Sequence, residues 1–384
     1  MHLIVEELSA MIAKNEGWSA RFDEAIESAA ACEVDSISDI RSVSDFLQLA
    51  DDLVHWTPRE SRTHPRMVYE RLVEFYFFLD QPSVKELQTH IDPDVDPKTL
   101  TPLSEWIVRF AVSWGDYLDT TESAAQVESF KEDPMFNWDE YMPPPSGYLT
   151  FNQFFARHVK PGMRPVAGLR QDEIIVSPAD CTFVGSWRIS ESGDITVYGE
   201  KDGLVESKGL QWSIGELLSD SEYADRFRGG IFTHSFLNTI DYHRWHTPVQ
   251  GKILEQKIIH AQAYLDVNVT TVLEDGKPIK KLNALDGTGY QFRQTRGLIV
   301  IDSPIGLVAC LPMGMAHVSS VVITAEKGVT VRKGEELGYF QFGGSDFVIV
   351  FERSSNVQLI GQPNVHVQQG EWIGTAFPYS MRSV

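Results

Sequence analysis

Residues 328–338 have the sequence GVTVRKGEELG and residues 364–374 have the sequence NVHVQQGEWIG, so one pattern returns after 36 positions. Both copies place valine, valine, glycine, glutamate, an aliphatic residue and glycine at the same spacing. Alternating valines before a glycine turn predict a strand, a turn and a second strand in each copy. The surrounding sequence, from about residue 173 onward, consists of short runs of Val, Ile, Phe and Thr separated by Gly, Asp and Asn. It predicts a mainly antiparallel β domain.

The N-terminal part of the chain differs from this β region in charge and in periodicity. The chain has 384 residues and a net charge of −21, and residues 1–150 hold 29 acidic and 11 basic side chains. Apolar residues there recur at helical spacing, as at Val68, Leu72 and Phe75. Three consecutive prolines, 143–145, cannot continue a helix. We therefore predict an α+β protein with an acidic helical N-terminal domain over residues 1–145 and a β domain over residues 146–384.

Charge and cysteine content exclude several classes of function. A net charge of −21 repels phosphate backbones and anionic bilayers, so we expect a small-molecule ligand, no nucleic acid and no membrane partner. Cys32, Cys181 and Cys310 lie far apart and form no Cys-x-x-Cys pair, which argues against a disulfide framework or a cysteine zinc site. The first residues show no secretory signal, which favours a cytoplasmic protein. Whether the subunits form a homo-oligomer stays open.

An uncharged stretch at residues 303–325 is long enough for a membrane helix. Two prolines and two glycines interrupt it, and its last residues are β-branched, so we predict two buried strands around a turn instead. His317 lies in this stretch. A histidine with satisfied hydrogen bonds in the core is the simpler interpretation of His317, and contact with a substrate side chain is the alternative.

The first segment with chemical potential is LGYFQFGGSD, residues 337–346, which precedes an apolar run predicted to be a buried strand. Two glycines before Ser345 allow backbone conformations closed to other residues and leave the Gly344 carbonyl open to the Ser345 hydroxyl. This geometry permits an N-to-O acyl shift. The alternative is an ordinary hairpin turn between two strands.

The second segment is NTIDYHRWHTP, residues 238–248. Asn238 and Asp241 have the spacing of a capping box, which predicts a short helix that ends before Pro248. On such a helix His243 and His246 share one face and can serve one site. The alternatives are structural histidines, or a metal site with His234 as third ligand, and we predict no metal.

The third segment is VSPAD, residues 176–180, which follows a strand-like run. A carboxylate at Asp180 can accept a hydrogen bond from a histidine Nδ1–H, which fixes the tautomer and leaves Nε2 as a base. Taken alone, the segment is a turn.

These three segments, with FFARHVKPGMRP at residues 154–165, resemble the phosphatidylserine decarboxylase family of pyruvoyl-dependent enzymes. The family pattern contains F-F-x-R-x-L-K-P-x-x-R-P, S-P-A-D-G, D-Y-H-R-x-H-x-P-x-x-G and L-G-x-F-x-x-G-S-T/S, and this chain carries all four elements in that order between about residues 150 and 355. The acidic helical half, the HRWH sequence and Gly-Gly-Ser look closer to the soluble amino-acid decarboxylase branch, which includes a tryptophan decarboxylase of fungal alkaloid synthesis.

The resemblance implies a proenzyme. Asp180 would orient His246, His246 would take the proton of Ser345, and the Ser345 hydroxyl would attack the Gly344 carbonyl. Cleavage between residues 344 and 345 would convert Ser345 into a covalent pyruvoyl group, which is the cofactor. The pyruvoyl ketone would form a Schiff base with the substrate amine, and His243 would protonate the carbanion left by CO2.

The predicted function is decarboxylation of a free, aromatic L-amino acid to its amine and CO2. The alternatives are a phosphatidylserine decarboxylase acting on lipid, a non-cleaving homologue that binds ligands, and a histidine-based metallohydrolase. A lipoyl or biotinyl carrier also uses duplicated hammerhead strands of the kind predicted here. It would need an exposed lysine at its hairpin tip, and no Met-Lys-Met sequence is present.

Two departures from the family pattern lie directly beside candidate site residues. Cys181 replaces a glycine after Asp180, and Asp346 replaces threonine or serine after Ser345. A carboxylate at Asp346 would disfavour an anionic group nearby. Either the substrate carries a positive or hydrogen-donating group, or Asp346 points away. Asp346 and His317 are therefore the candidate substrate-binding residues.

Overall fold

The computed structural model describes residues 1–63, 66–91, 93, 99–197, 210–274, 276–284, 289–314, 321–342 and 345–379, and the backbone of residues 200–201 and 204–205. Helices dominate its first third and antiparallel strands the remainder, which confirms the mixed α+β class.

The α-helices are α1 (Leu3–Lys14), α2 (Trp18–Ala31), α3 (Val43–Val54), α4 (Met67–Leu79), α5 (Pro82–Lys85), α6 (Pro102–Leu118), α7 (Phe151–Phe155) and α8 (Ile214–Leu217). Short 3-10 helices span Asp35–Ile37, Glu122–Lys131, Pro134–Phe136, Trp138–Glu140, Ala224–Phe227, Tyr290–Arg293 and Arg353–Ser355. Helix α6 shows why these segments are helical. The Thr101 side chain accepts a hydrogen bond from Ser104 N, Pro102 opens the first turn, and Trp106 and Phe110 lie on its buried face.

The strands are β1 (Tyr141–Met142), β2 (His158–Val159), β3 (Ile174–Val176), β4 (Cys181–Arg188), β5 (Asp194–Val197), β6 (Glu200–Lys201), β7 (Leu204–Val205), β8 (Leu210–Ser213), β9 (Ile231–Leu237), β10 (Arg244–His246), β11 (Gly251–Ile259), β12 (Val267–Glu274), β13 (Lys277–Ala284), β14 (Arg296–Ser303), β15 (Gly306–Gly314), β16 (Val321–Ile323), β17 (Thr330–Val331), β18 (Glu336–Phe340), β19 (Ser345–Phe351), β20 (Val357–Leu359), β21 (His366–Val367) and β22 (Trp372–Ala376).

An eight-stranded antiparallel sheet forms the centre of the β region, in the order β17-β11-β14-β15-β19-β9-β4-β21. Strands β15 and β19 occupy its middle, and their residues are buried from end to end. Two three-stranded sheets accompany it, in the orders β10-β18-β16 and β20-β22-β3. The uncharged stretch at residues 303–325 thus contains all of β15, which is buried as predicted, and all of β16, of which only Val321 is buried. The predicted turn between them lies outside the described residues.

The duplicated sequence produces a duplicated structure. In each copy the first strand, β17 or β21, forms one edge of the eight-stranded sheet. The second strand, β18 or β22, is the middle strand of a three-stranded sheet. The glycines explain the repeated pattern, because Gly334 and Gly370 turn the chain with φ of 80° and 89°, a region that other residues avoid. Each copy is therefore a strand, a glycine turn and a strand, as predicted.

The helical half and the β half share one hydrophobic core. The cluster around Phe46, Phe75 and Trp106 continues through α7 to Tyr264 and Phe342. Two further clusters occupy the two faces of the eight-stranded sheet. The boundary after residue 145 stays a prediction. Among the residues that the structure describes, no helix combines the length and the apolarity that crossing a membrane requires.

Candidate functional site

Ser345 is the first residue of the central strand β19. It lies opposite Leu237 of β9 on one side and Gly314 of β15 on the other. Its side chain is completely buried, and Oγ has no hydrogen-bond partner within the described part of the chain. A buried hydroxyl without a partner costs free energy, so it calls for an explanation, of which a catalytic role is one. Gly344, the residue on the other side of the proposed cleavage, lies outside the described residues.

Asp346 points to the face of the sheet opposite to that of Ser345. Side chains alternate along a strand, and Phe347 belongs to the apolar cluster on one face whereas Val348 belongs to the cluster on the other. Asp346 lies on the Val348 face, where Oδ1 is 2.7 Å from Nε2 of His234 on β9. Burial raises the pKa of this carboxyl, and the neighbouring His234 partly offsets that effect.

The segment with the two histidines is not the short helix predicted from Asn238 and Asp241. It forms a turn at residues 238–241 and then strand β10, which pairs with β18. The Asp241 carboxylate does accept a hydrogen bond from Asn238 N at 2.8 Å, so the local capping contact exists without a helix. Pairing with β18 overrides the capping signal. The helical face on which the two histidines were predicted to lie together is therefore absent, and the pairing of β10 with β18 is irregular between Trp245 and His246.

His243 is completely buried and neutral. Its ring stacks on Phe155 with 3.9 Å between centroids, and its Nδ1–H donates to the Asp241 carbonyl at 2.9 Å. Burial, reinforced by the positive charge of Arg157, lowers the pKa of His243 to about 3. Because Nδ1 holds the proton, Nε2 carries a lone pair, and this atom is buried without a hydrogen-bond partner among the described residues. His243 Nε2 is therefore available to accept a hydrogen bond or a proton, although its low pKa makes it a weak base.

His246 is held at both ring nitrogens. Nδ1–H donates to the Gly334 carbonyl at 2.9 Å, and Nε2 accepts from the Tyr242 hydroxyl at 3.2 Å. Burial lowers the pKa of His246 as well. Its backbone N–H donates to the Pro178 carbonyl at 2.7 Å, so the turn that contains Asp180 lies directly beside it.

The Asp180 carboxylate does not bind His246 as expected. Arg164 Nε donates to both carboxylate oxygens at 2.8 and 3.0 Å, and Gln369 N donates to Oδ1 at 2.8 Å. Arg164 also pairs with Glu140 at 2.8 Å. A buried guanidinium with a planar fork of donors binds a carboxylate more strongly than a neutral imidazole does, which explains the preference. The Asp180 charge still acts on His246 through space.

The structure therefore places the Asp180 turn beside His246, and the Asp346 carboxyl within hydrogen-bond distance of His234. The position of His317 lies outside the described residues, so its direction stays a prediction. Sequence reasoning missed Arg164 and His234 as partners of the two carboxylates. Arg164 was visible as the final arginine of the FFARHVKPGMRP segment, whereas no signal in the sequence points to His234.

The histidines do not form a metal site within the described part of the chain. His234 is engaged with Asp346, and His243 and His246 have separate backbone partners. No three His, Cys, Asp or Glu side chains of the described residues converge where they could hold an ion. The prediction that the site holds no metal stays a prediction.

Comparison with known proteins agrees with the arrangement of motifs. The profile of the family described as phosphatidylserine decarboxylase matches residues 151–375. The chain belongs to the phosphatidylserine decarboxylase family. This family is one of carboxy-lyases, and the match covers β2 to β22 together with α7.

Relatives within the phosphatidylserine decarboxylase family include enzymes from fungi and bacteria. Phosphatidylserine decarboxylase proenzyme 3 of Schizosaccharomyces pombe is 36% identical over 235 residues, which is 61% of this chain and 22% of that protein. The proenzyme of Fusobacterium nucleatum is 31% identical over 255 residues, 66% of this chain and 75% of that protein. Decarboxylase iboD of Amanita muscaria is 31% identical over 268 residues, 62% of this chain and 74% of that protein.

The chain thus spans about a fifth of the length of the fission-yeast relative and three quarters of the bacterial one. The family resemblance deduced from the four motifs is confirmed, and the assignment to an amino-acid branch stays a prediction.

Replacing Arg164 by alanine should destabilise the protein by about 3–5 kcal/mol, because Asp180 would keep a buried charge without its main partner. The free energy of unfolding in urea measures this loss. Arg109→Gln serves as the control, since it removes an exposed ion pair with Glu7 and should cost less than about 1 kcal/mol. Equal losses in the two variants would contradict a structural role for the buried pair.

Proposed function

We propose that the chain cleaves itself between residues 344 and 345, and that the new terminus at Ser345 then decarboxylates a substrate with a free α-amino acid head. One observation carries the proposal. The hydroxyl of Ser345 is buried at the first position of the central strand without a partner among the described residues, next to a segment that supplies a neutral histidine. The names of the relatives, which are proenzymes, support the same conclusion.

The cleavage needs only groups of this chain and one water molecule. Ser345 Oγ loses its proton to a base and attacks the Gly344 carbonyl carbon, and the peptide C–N bond breaks to give an ester and a free amine. Loss of the Ser345 α-proton then expels the Gly344 carboxylate and leaves dehydroalanine. Its imine tautomer reacts with water, releases ammonia and becomes a pyruvoyl group. Residues 345–384 form the shorter fragment, which keeps Asp346 and the second repeat.

We propose His243 as the base, which exchanges the roles that the resemblance implied for the two histidines. His243 Nε2 has a free lone pair, whereas His246 Nε2 already accepts from the Tyr242 hydroxyl. Position supports the choice too, because the His243 carbonyl accepts from Phe340 N at 2.9 Å, five residues before Ser345. Phe155 contacts both His243 and Phe342, so one aromatic side chain joins the two segments.

A pyruvoyl ketone takes the substrate amine and withdraws the electrons that remain when CO2 leaves. Phosphatidylserine is one candidate substrate, favoured by the names of most relatives. A free amino acid is the other, favoured by the net charge of −21 and by the buried carboxylate of Asp346. Release of CO2 from phosphatidylserine in mixed micelles, compared with release from free amino acids, separates the two.

Ser345→Ala should remain one polypeptide, because it lacks the attacking hydroxyl. The unchanged chain should yield two fragments on a denaturing gel, and mass spectrometry should find the 345–384 fragment blocked by pyruvate. Ser355→Ala is a matched control, since Ser355 is also completely buried with an unpartnered hydroxyl and lies in the same fragment. Cleavage of the Ser345→Ala chain would refute the proposal.

His243→Ala should slow self-cleavage by about 10²–10⁴-fold, the typical contribution of a positioned base. His246→Ala should cleave within about tenfold of the unchanged chain, because its ring is tied to Gly334 and Tyr242. The fraction of cleaved chain is followed over time after cell-free synthesis. The reverse order of rates would return the role of base to His246.

The rate of self-cleavage should stay level as the pH falls from about 8 to about 5. The base acts only when it is neutral, and a pKa of about 3 keeps His243 neutral over this range. A histidine with an ordinary pKa of 6.5 would lose about 30-fold over the same interval. Newly synthesised chain transferred into buffers of different pH measures the profile, with circular dichroism to verify folding. A decline centred near the ordinary histidine pKa would contradict His243 as base.

A further inference from the structure

Asp346 is the residue directly after the one proposed to become the reactive group, yet it takes no part in activating the Ser345 hydroxyl. The strand turns the two side chains to opposite faces, and Oδ1 of Asp346 is engaged with His234 Nε2 at 2.7 Å. Asp346 lies opposite Met313 of β15 and Phe236 of β9, so it sits at the same end of the sheet as Ser345.

One oxygen of this carboxyl has no partner. Asp346 is completely buried, and Oδ2 makes no hydrogen bond within the described residues. Leaving a buried acceptor unsatisfied is unfavourable, and more so when the group is charged. A threonine, as in the family pattern, would avoid this cost.

One aromatic ring contacts the pair at His234, and two more aromatic rings contact that first ring. The ring of Phe292 meets the ring of His234 at a centroid distance of 5.4 Å, and Trp212 and Phe232 meet Phe292 edge-on at 5.4 and 5.1 Å. Nε1 of Trp212 is also buried without a hydrogen-bond partner. A polar acceptor near aromatic rings is the typical composition of a site that binds a flat organic group with one polar end.

We propose that Asp346, held by His234, is the specificity-determining acceptor of the substrate site, which takes a substrate side chain ending in an N–H or O–H donor and disfavours a phosphate. This inference rests on the proposed function and deepens it, since it selects a free amino acid with such a side chain over phosphatidylserine. Asp346 is a binding residue here, and His234 is its positioning residue.

Hydrogen bonding and charge are the physical reasons for the selection. A phosphodiester offers only acceptor oxygens, so it cannot donate a hydrogen bond to Oδ2, and its negative charge would add to the cost of any charge on the Asp346 carboxyl. His234 is the ionisable neighbour that acts on Asp346, and it already uses Nε2 for that contact. A donor on the substrate satisfies Oδ2, and an analogue without the donor leaves it unsatisfied, which gives strong discrimination.

The test for the donor uses binding rather than turnover. The probes are 4-hydroxyphenyllactate and phenyllactate, which differ by one hydroxyl and lack the amine that reacts with a ketone. Calorimetry on the mature protein should show about 10- to 100-fold tighter binding of the hydroxylated probe. Asp346→Thr and Asp346→Asn should remove most of this preference. A preference that is absent in the unchanged protein, or that survives in Asp346→Thr, would overturn the proposal.

The test for phosphate uses turnover. Glycerophosphoserine, the water-soluble head of phosphatidylserine, is compared with free tyrosine, and rates are normalised to the pyruvate content of each preparation. The unchanged protein should prefer tyrosine, and Asp346→Thr should shift the ratio of kcat/KM towards glycerophosphoserine by at least tenfold, mainly through KM. An unchanged ratio would overturn the proposal.

His234→Gln completes the experiment, because a glutamine amide can still donate to Asp346 whereas His234→Leu cannot. We expect the glutamine variant to retain the probe preference and the leucine variant to lose it. Failure of this inference is distinguishable from failure of the proposed function. Fragments blocked by pyruvate and CO2 release, with no effect of the Asp346 variants, would overturn the inference alone. A chain that stays whole would overturn both.

Discussion

The hydrogen-bonded ladders on both sides of β19 are the constraint on which the rest of the site depends. The strand begins at Ser345 and lies between β15 and β9 from its first residue. A central strand paired on two sides has little freedom to move, so the proposed break in front of Ser345 would leave the new terminus where the folded chain placed it. The second repeat strengthens this hold, because β21 pairs with β4 and β22 pairs with β3. The shorter fragment of the proposed cleavage would thus be interwoven with the longer one.

Local signals made part of this fold predictable. The duplicated pattern predicted strand, turn and strand because a valine alternation and a glycine with positive φ act within a few residues. Strand pairing depends on residues that are distant in the sequence. Neither copy of the repeat therefore indicated that its two strands would belong to different sheets. The final glycines of the copies reflect this packing. A Cβ at Gly338 would come within 2.1 Å of the Val322 carbonyl, and one at Gly374 within 2.9 Å of the Gln358 carbonyl.

The site residues were predictable as residue types and less so as contacts. The order of the motifs along the chain identified Asp180, His246 and Ser345 as candidate site residues. The structure places the Asp180 turn beside His246. The expected hydrogen bond between the Asp180 carboxylate and the His246 imidazole is not formed. Arg164, from a different segment, donates to the same carboxylate oxygens with better geometry. The expected helix failed for a similar reason, since a capping signal is worth about 1 kcal/mol and pairing with another strand outweighs it.

Adjacent residues of a strand place their side chains on opposite faces of the sheet, so they can perform two different chemical tasks without interfering with each other. Self-cleavage requires a hydroxyl and a neutral base, and Ser345 provides the hydroxyl on one face of β19. Substrate selection requires an acceptor near the same terminus that does not disturb this hydroxyl, and Asp346 on the other face meets that requirement. Were both side chains on one face, an ionised Asp346 would compete with the base for the Ser345 proton and would raise the barrier to the oxyanion that forms at residue 344. Strand alternation therefore allows a carboxylate at a position where the family pattern has a neutral hydroxyl.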